Sequence, residues 1–132
     1  MTARRAECSC GQLTVAVEGE PVRISMCHCL ACQRRTGSTY GVQARFARTQ
    51  VRISGEARKY VRYADDDSTE RRFCFCPKCG STVYYLTDRN RDLVAIPVGA
   101  FADPEFPEPR VSVWESRRHS WVSAPPGAER SV

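Results

Sequence analysis

Cysteines are the residues of this sequence whose type and spacing predict chemistry. The eight cysteines form three clusters: Cys8 and Cys10; Cys27, Cys29 and Cys32; and Cys74, Cys76 and Cys79. Sulfur atoms held close together along a chain are typical ligands of tetrahedral zinc, which binds them at about 2.3 Å. In a reducing compartment such cysteines rarely form disulfides, so we expect metal ligation or thiol chemistry.

The last cluster contains the motif C-P-K-C-G, in which Cys76 and Cys79 are followed by a glycine. Turns of this kind present two convergent sulfur atoms. No second motif of the same form is available, so we predict that the partner pair is Cys8 and Cys10, where Gly11 permits a sharp bend. Four protein ligands leave no position for a substrate, and this zinc site is therefore predicted to be structural.

The middle cluster, Cys27, Cys29 and Cys32, supplies three sulfur atoms within six residues. Three protein ligands plus an exchangeable position are the pattern of a catalytic zinc site. We therefore predict an open zinc site of the catalytic type at these three cysteines. Arg34 and Arg35 follow directly and are predicted to bind the carboxylates of a small acidic substrate, the alternative being solvated charge on a helix.

The spacing leaves the fourth ligand of the second site open. Strand alternation turns His28 away from the sulfur atoms beside it, so a supporting role is expected rather than ligation. Cys74 shares a strand face with Cys76 and could reach either metal, or it could be a small buried apolar side chain, which is the interpretation we prefer.

The elements that must position these cysteines are mostly short strands with period-two alternation. Strands are predicted at Gln12–Val17, Val22–Met26, Tyr40–Phe46, Val51–Ser54, Ala57–Tyr63, Arg71–Phe75, Thr82–Leu86, Leu93–Val98 and Arg110–Trp114. One short helical turn is predicted at Leu30–Thr36, ending at Gly37 in a left-handed cap. The sequence thus indicates an all-β fold of antiparallel strands.

Length and composition indicate the domain organisation and the cellular compartment of the protein. The 132 residues fit one domain, predicted at 1–124, with 125–132 as a mobile tail. No segment approaches the roughly 20 apolar residues of a membrane span, so we expect a cytoplasmic protein. Seven thiolates on two zinc ions would lower the formal charge of +5 by three units, which weakens the signal for nucleic acid.

Three motifs together carry a resemblance to a known family. They are C-S-C-G from Cys8, C-H-C-L-A-C-Q-R-R-T-G from Cys27 to Gly37, and F-C-P-K-C-G-S from Phe75 to Ser81, joined by the late Trp121. On these residues, which span nearly the whole chain, the sequence resembles the glutathione-dependent formaldehyde-activating enzyme family, also called centromere-protein-V-like.

The resemblance implies a β-tent fold with a structural zinc at Cys8, Cys10, Cys76 and Cys79. It also implies a labile second zinc at the three cysteines of the middle cluster. The family's named activity is carbon–sulfur bond formation between glutathione and formaldehyde, which gives S-hydroxymethylglutathione. We therefore expect a zinc-dependent carbon–sulfur lyase acting on a small thiol and an aldehyde.

A second hypothesis is a non-catalytic zinc module that binds a protein or nucleic acid through basic strands. Basic strands with interleaved aromatic residues can follow a phosphate backbone and stack on bases. The residues concerned are Arg45, Arg48, Arg52, Arg58, Lys59 and Arg62, with Tyr60 and Tyr63. A solvated strand face explains the same residues without any partner.

Overall fold

Short β-strands build most of the protein in the computed structural model, which describes residues 2–132. Within that range the eleven strands are β1 (Ala3–Glu7), β2 (Thr14–Glu18), β3 (Arg23–Cys27), β4 (Gly41–Ala47), β5 (Val51–Ser54), β6 (Arg58–Tyr63), β7 (Glu70–Phe75), β8 (Thr82–Thr87), β9 (Leu93–Pro97), β10 (Val111–Val113) and β11 (Glu129–Arg130). The α-helix α1 spans Leu30–Thr36. Short 3₁₀ helices lie at Arg48–Gln50, Val98–Phe101 and Glu115–Arg117.

The all-β prediction is confirmed, and each predicted strand is present with its ends within two residues of those predicted. The helix begins and ends where predicted, because Gly37 adopts φ 73° and its N–H closes the last turn on the Gln33 carbonyl at 2.8 Å. Strands β1 and β11 were not predicted. In β1, only Ala6 is buried, so this strand lacks an alternating apolar pattern.

Two sheets contain the strands of residues 2–132. The small sheet has the order β1-β2-β5, and the large sheet has the order β11-β10-β3-β4-β9-β8-β7-β6. Most neighbours are antiparallel as predicted, but β10 runs parallel to both β3 and β11. A parallel neighbour requires a long crossover connection, and here more than eighty residues separate β3 from β10 in the chain.

The large sheet has one apolar face and one polar face, and this difference positions the site. Strand β3 turns Ile24 into the main core, while Arg23, Ser25 and Cys27 point to the opposite side. Phe46 of β4 is fully buried in the same core, which also receives the alternating apolar residues of β2 from the small sheet. The polar face is left free to line a cavity.

The final residues contact the body of the protein. Ala124 is buried beside Met26, and Glu129 and Arg130 pair with β10. The mobility predicted for 125–132, and the domain bounds 1–124, stay predictions. No helix in the described part of the chain is long and apolar enough to cross a membrane.

Candidate metal centres

The structure brings Cys8, Cys10, Cys76 and Cys79 together from two distant turns, one after β1 and one after β7. Their four Sγ atoms all lie within 4.8 Å of one another. The Cys8–Cys10 and Cys10–Cys76 sulfur pairs are each 3.6 Å apart. Tetrahedral zinc with 2.3 Å bonds places its sulfur ligands about 3.8 Å apart, whereas a disulfide needs about 2.05 Å. The donor set therefore fits a zinc ion.

A glycine ends each of the two turns. The N–H of Gly11 donates to the Cys8 carbonyl at 3.0 Å, and that of Gly80 donates to the Cys76 carbonyl at 2.8 Å. Their φ angles are 83° and 80°, in the left-handed region that favours glycine. Glycine is favoured at both positions because the tight turn that brings each pair of sulfur atoms together ends in this conformation.

Hydrogen bonds to sulfur favour the thiolate forms of Cys76 and Cys79. Although the backbone hydrogen bond from Gln12 opposes the shift, burial and the hydrogen bonds with its neighbouring thiols raise the pKa of Cys10 to about 11. The N–H of Leu13 donates to Cys8 Sγ at 3.3 Å, and the Gln12 side-chain amide donates to Cys76 Sγ at 3.0 Å. Burial raises the pKa of the Cys76 thiol, but the Gln12 hydrogen bond opposes it and the net shift is downward. Hydrogen bonding to Ser81 lowers the pKa of Cys79 to about 5. Thiolates are the form that binds metal.

The second group consists of Cys27 at the end of β3 and of Cys29 and Cys32 around the start of α1. Their Sγ atoms also lie within 4.8 Å of one another. Cys29 is the N-cap of α1, and its sulfur accepts the N–H of Cys32 at 3.3 Å. Gly41 pairs with Cys27 across the sheet, and an added Cβ there would lie 3.6 Å from Cys32 Cβ. This is an ordinary van der Waals distance, so the position would also accommodate an alanine.

The pKa values of the three thiols in this group are shifted in different directions. Hydrogen bonding to Cys27 and Cys32 lowers the pKa of the Cys29 thiol to about 2, and hydrogen bonding to Cys29 raises the pKa of Cys27. Three converging sulfur donors are suited to a soft or borderline metal such as zinc.

Within residues 2–132, no fourth side chain joins this group of three sulfur atoms. Cys74 is fully buried and belongs to neither group. His28 is also fully buried and faces away, with Nε2 2.9 Å from Ser112 Oγ and 3.3 Å from Glu115 Oε2. Burial lowers the pKa of His28. Among the described residues, this group therefore offers three side-chain donors to a metal ion.

A cavity of about 730 Å³ adjoins the second group and not the first. All three cysteines of the second group line it, as does Arg35, whose guanidinium lies 5.2 Å from the centre of the Phe73 ring. Arg34 is exposed and lies outside the lining. The structure therefore places one of the two predicted carboxylate-binding arginines at the site.

Further arginines of the cavity were assigned differently, or not at all, by the sequence analysis. The second hypothesis assigns Arg45 and Arg62 to a surface for a protein or nucleic-acid partner, but both line the cavity. Arg23 and Gln43 were not singled out and line it too. Alternation along β3 and β4 places these side chains on the face of Cys27, a signal present in the sequence.

Three comparisons relate the chain to known proteins. A family model described as glutathione-dependent formaldehyde-activating enzyme matches residues 3–117. Among curated proteins, none matches the chain. A crystal structure of a Rhodobacter sphaeroides protein is similar, with a TM-score of 0.56 and 19% sequence identity over 76% of this chain and 91% of that chain. At this identity, the similarity shows a shared fold.

Proposed function

The chain belongs to the glutathione-dependent formaldehyde-activating enzyme family, and on this basis we propose that it is a zinc-dependent enzyme of the carbon–sulfur lyase type. Its substrates are a small glutathione-like thiol and an aldehyde such as formaldehyde. The observation that carries the proposal is the position of Cys27, Cys29 and Cys32, which converge at the wall of a cavity large enough for a small peptide. The reducing cytoplasm, where thiols stay free, is the compartment proposed.

The reaction is an addition without any redox change. The thiolate sulfur attacks the carbonyl carbon and forms the sulfur–carbon bond. The electron pair of the carbonyl π bond moves to oxygen, which takes up a proton and becomes a hydroxyl group. The reverse direction breaks the sulfur–carbon bond and releases both substrates.

Each cysteine group would hold one zinc ion, with different consequences. A zinc ion bound by Cys27, Cys29 and Cys32 supplies a Lewis acid that keeps a bound thiol deprotonated at neutral pH. Four cysteines would bind the ion of the other group, which would be structural because these ligands complete a tetrahedral shell.

Arg35 is the residue of this chain best placed to bind a substrate carboxylate. Its guanidinium lies over Phe73 and 5.7 Å from the centre of the Tyr85 ring, and its Nε has no hydrogen-bond partner in the described residues. The two rings pack at 4.9 Å and are both buried, so they give the guanidinium a rigid support. A fork held in this way suits a carboxylate.

The test is an exchange NMR measurement of glutathione and formaldehyde with zinc-loaded protein. We expect the wild type to accelerate adduct formation over the spontaneous rate, and Cys29→Ser to abolish the acceleration. The matched control is Cys74→Ala, which removes a cysteine outside both groups and should keep the activity. A wild-type rate equal to the spontaneous one, or an unaltered rate in Cys29→Ser, rejects the proposal.

One observation favours the second candidate, a non-catalytic module that binds nucleic acid or protein. Strand β6 is the edge of the large sheet, and its Tyr60 and Tyr63 are 60% and 62% exposed. Exposed rings beside Arg58 and Lys59 are suited to stacking on bases. A filter-binding titration across salt tests this candidate, because phosphate contacts require affinity to fall steeply with salt.

A further inference from the structure

Two pairs of arginines face each other across neighbouring strands at the walls of the cavity. Arg23 of β3 lies opposite Arg45 of β4, and Arg62 of β6 lies opposite Arg71 of β7. All four residues line the cavity. Like charges directly opposite each other destabilise a sheet, so the fold carries a local cost here that packing does not explain.

The first pair has no acidic partner among residues 2–132. In the described part of the chain, no carboxylate lies within 4.0 Å of Arg23 or Arg45, and Arg45 instead donates to Ser25 Oγ at 3.1 Å. Elsewhere on the large sheet, Arg72 pairs with Glu70 at 2.6 Å and Asp88 at 3.0 Å. The cavity is lined by seven arginines and two aspartates of the described residues, so its wall has an excess of positive charge.

A second observation lies between the arginine pair and the cysteines. Gln43 is 3% exposed and lines the cavity, and its Oε1 has no hydrogen-bond partner among the described residues. Its Nε2 reaches Ser25 Oγ at 3.4 Å. A buried carbonyl oxygen without a donor costs about 1–3 kcal/mol, and a ligand N–H would satisfy it.

These groups follow one another along the same two strands. Cys27 pairs with Gly41, then Ser25 with Gln43, and finally Arg23 with Arg45. Four residues of extended chain separate the Cys27 end from the arginine end, a backbone distance of about 13 Å. Within residues 2–132, the order from one end to the other is sulfur donors, an amide oxygen without a hydrogen-bond donor, and two guanidinium groups without an acidic partner.

We propose that the β3–β4 face is a recognition track for a peptide thiol with a carboxylate remote from its sulfur. The thiol lies at Cys27, Cys29 and Cys32, a peptide N–H donates to Gln43 Oε1, and the remote carboxylate binds Arg23 and Arg45. Free cysteine is too short, because its carboxylate is only a few bonds from its sulfur. This assignment rests on the proposed function and adds the residues that select the thiol.

The experiment uses S-methylglutathione, whose blocked sulfur cannot react, and its diester, in which both carboxylates are blocked. Binding to the zinc-loaded protein is measured by isothermal titration calorimetry. We expect the wild type to bind the diacid at least about tenfold more tightly than the diester, the size of one charge-assisted hydrogen bond. Arg45→Gln and the exposed Arg23→Gln should each reduce that preference by about the same factor while leaving diester binding unchanged.

The matched control is Arg52→Gln, which removes one exposed charge from β5 of the small sheet, outside the cavity lining. It should keep the wild-type preference. Zinc content of each variant confirms that it is folded. The proposal is overturned if the wild type binds diacid and diester equally, if it binds neither at millimolar concentration, or if the two variants weaken the diester as much as the diacid.

The binding result is separable from the proposed activity. If the protein prefers the diacid but does not accelerate the glutathione–formaldehyde reaction, the recognition track is supported and the proposed function is rejected. If the enzyme is active but does not prefer the diacid, the proposed function is supported and the recognition track is rejected.

Discussion

Replacing Cys79 with serine removes one sulfur atom from the Cys8–Cys10–Cys76–Cys79 group, and we expect the protein to lose most of its stability. Cys79 is exposed, so the substitution leaves no cavity and costs little packing. A serine hydroxyl is a poor ligand for zinc beside three thiolates. Any large effect must therefore come from the metal.

The size of the effect follows from the positions of the two turns. Cys10 and Cys76 are 66 residues apart in the chain. Cross-linking a loop of that length restricts the unfolded chain by about 4 kcal/mol at 25 °C on the chain-entropy model. Zinc binding in small modules contributes on the order of 10 kcal/mol. Since domains of this size are stable by about 5–15 kcal/mol, we expect a loss of at least 4 kcal/mol and a largely unfolded variant.

The assay is urea unfolding followed by circular dichroism, with bound zinc counted by native mass spectrometry. The wild type should carry two zinc ions and unfold in one transition. The Cys79→Ser variant should retain at most one ion and unfold at much lower urea, while Cys74→Ala controls for the loss of a thiol outside the two groups. A Cys79→Ser protein with the wild-type urea midpoint would refute the metal-based explanation.

Three further predictions concern the other site and the fold. Cys29→Ser should remove only the second zinc and leave the circular dichroism spectrum unchanged; unfolding of this variant would show that the second group is structural. In Gly55→Ala the new Cβ would lie 2.1 Å from the Gln12 carbonyl oxygen, and the backbone of residue 55 has a φ of 105°. We therefore expect the free energy of unfolding measured in urea to fall by at least about 1–3 kcal/mol. A smaller fall would mean that the turn changes its conformation to accept the side chain. Burial raises the pKa of Tyr84 from 10.0 to about 12, so the unfolded chain loses this proton at lower pH than the folded protein does. The free energy of unfolding should therefore fall as the pH rises from 10 to 12, and Tyr84→Phe should reduce that fall. An equal fall in both proteins would assign the effect to another group.

Local chemistry made much of the site predictable. The C-P-K-C-G turn needs two more sulfur atoms for a tetrahedral site, and the C-S-C-G motif offers them at Cys8 and Cys10. The bounds of α1 follow from the glycine that ends it. In each case, a few neighbouring residues determine the geometry.

The cavity was less predictable, because its walls come from strands that are distant in the chain. Alternation indicates that Arg23 shares a face with Cys27, and that Arg62 shares one with Tyr60. It does not indicate that the faces of β3 and β6 border the same cavity. Strand β1 was missed for a related reason, since its partner β2 supplies most of the buried residues of that pair.

The parallel pairing of β10 with β3 has a consequence for biosynthesis. The backbone N–H of His28 donates to the Val113 carbonyl at 3.1 Å, and the imidazole contacts Ser112. A ribosome delivers Cys27, Cys29 and Cys32 about eighty residues before that strand. Until β10 is synthesised, the nascent chain therefore exposes the three thiols beside a strand β3 that lacks its parallel neighbour. During this interval the site is most accessible to oxidants and to metals other than its own.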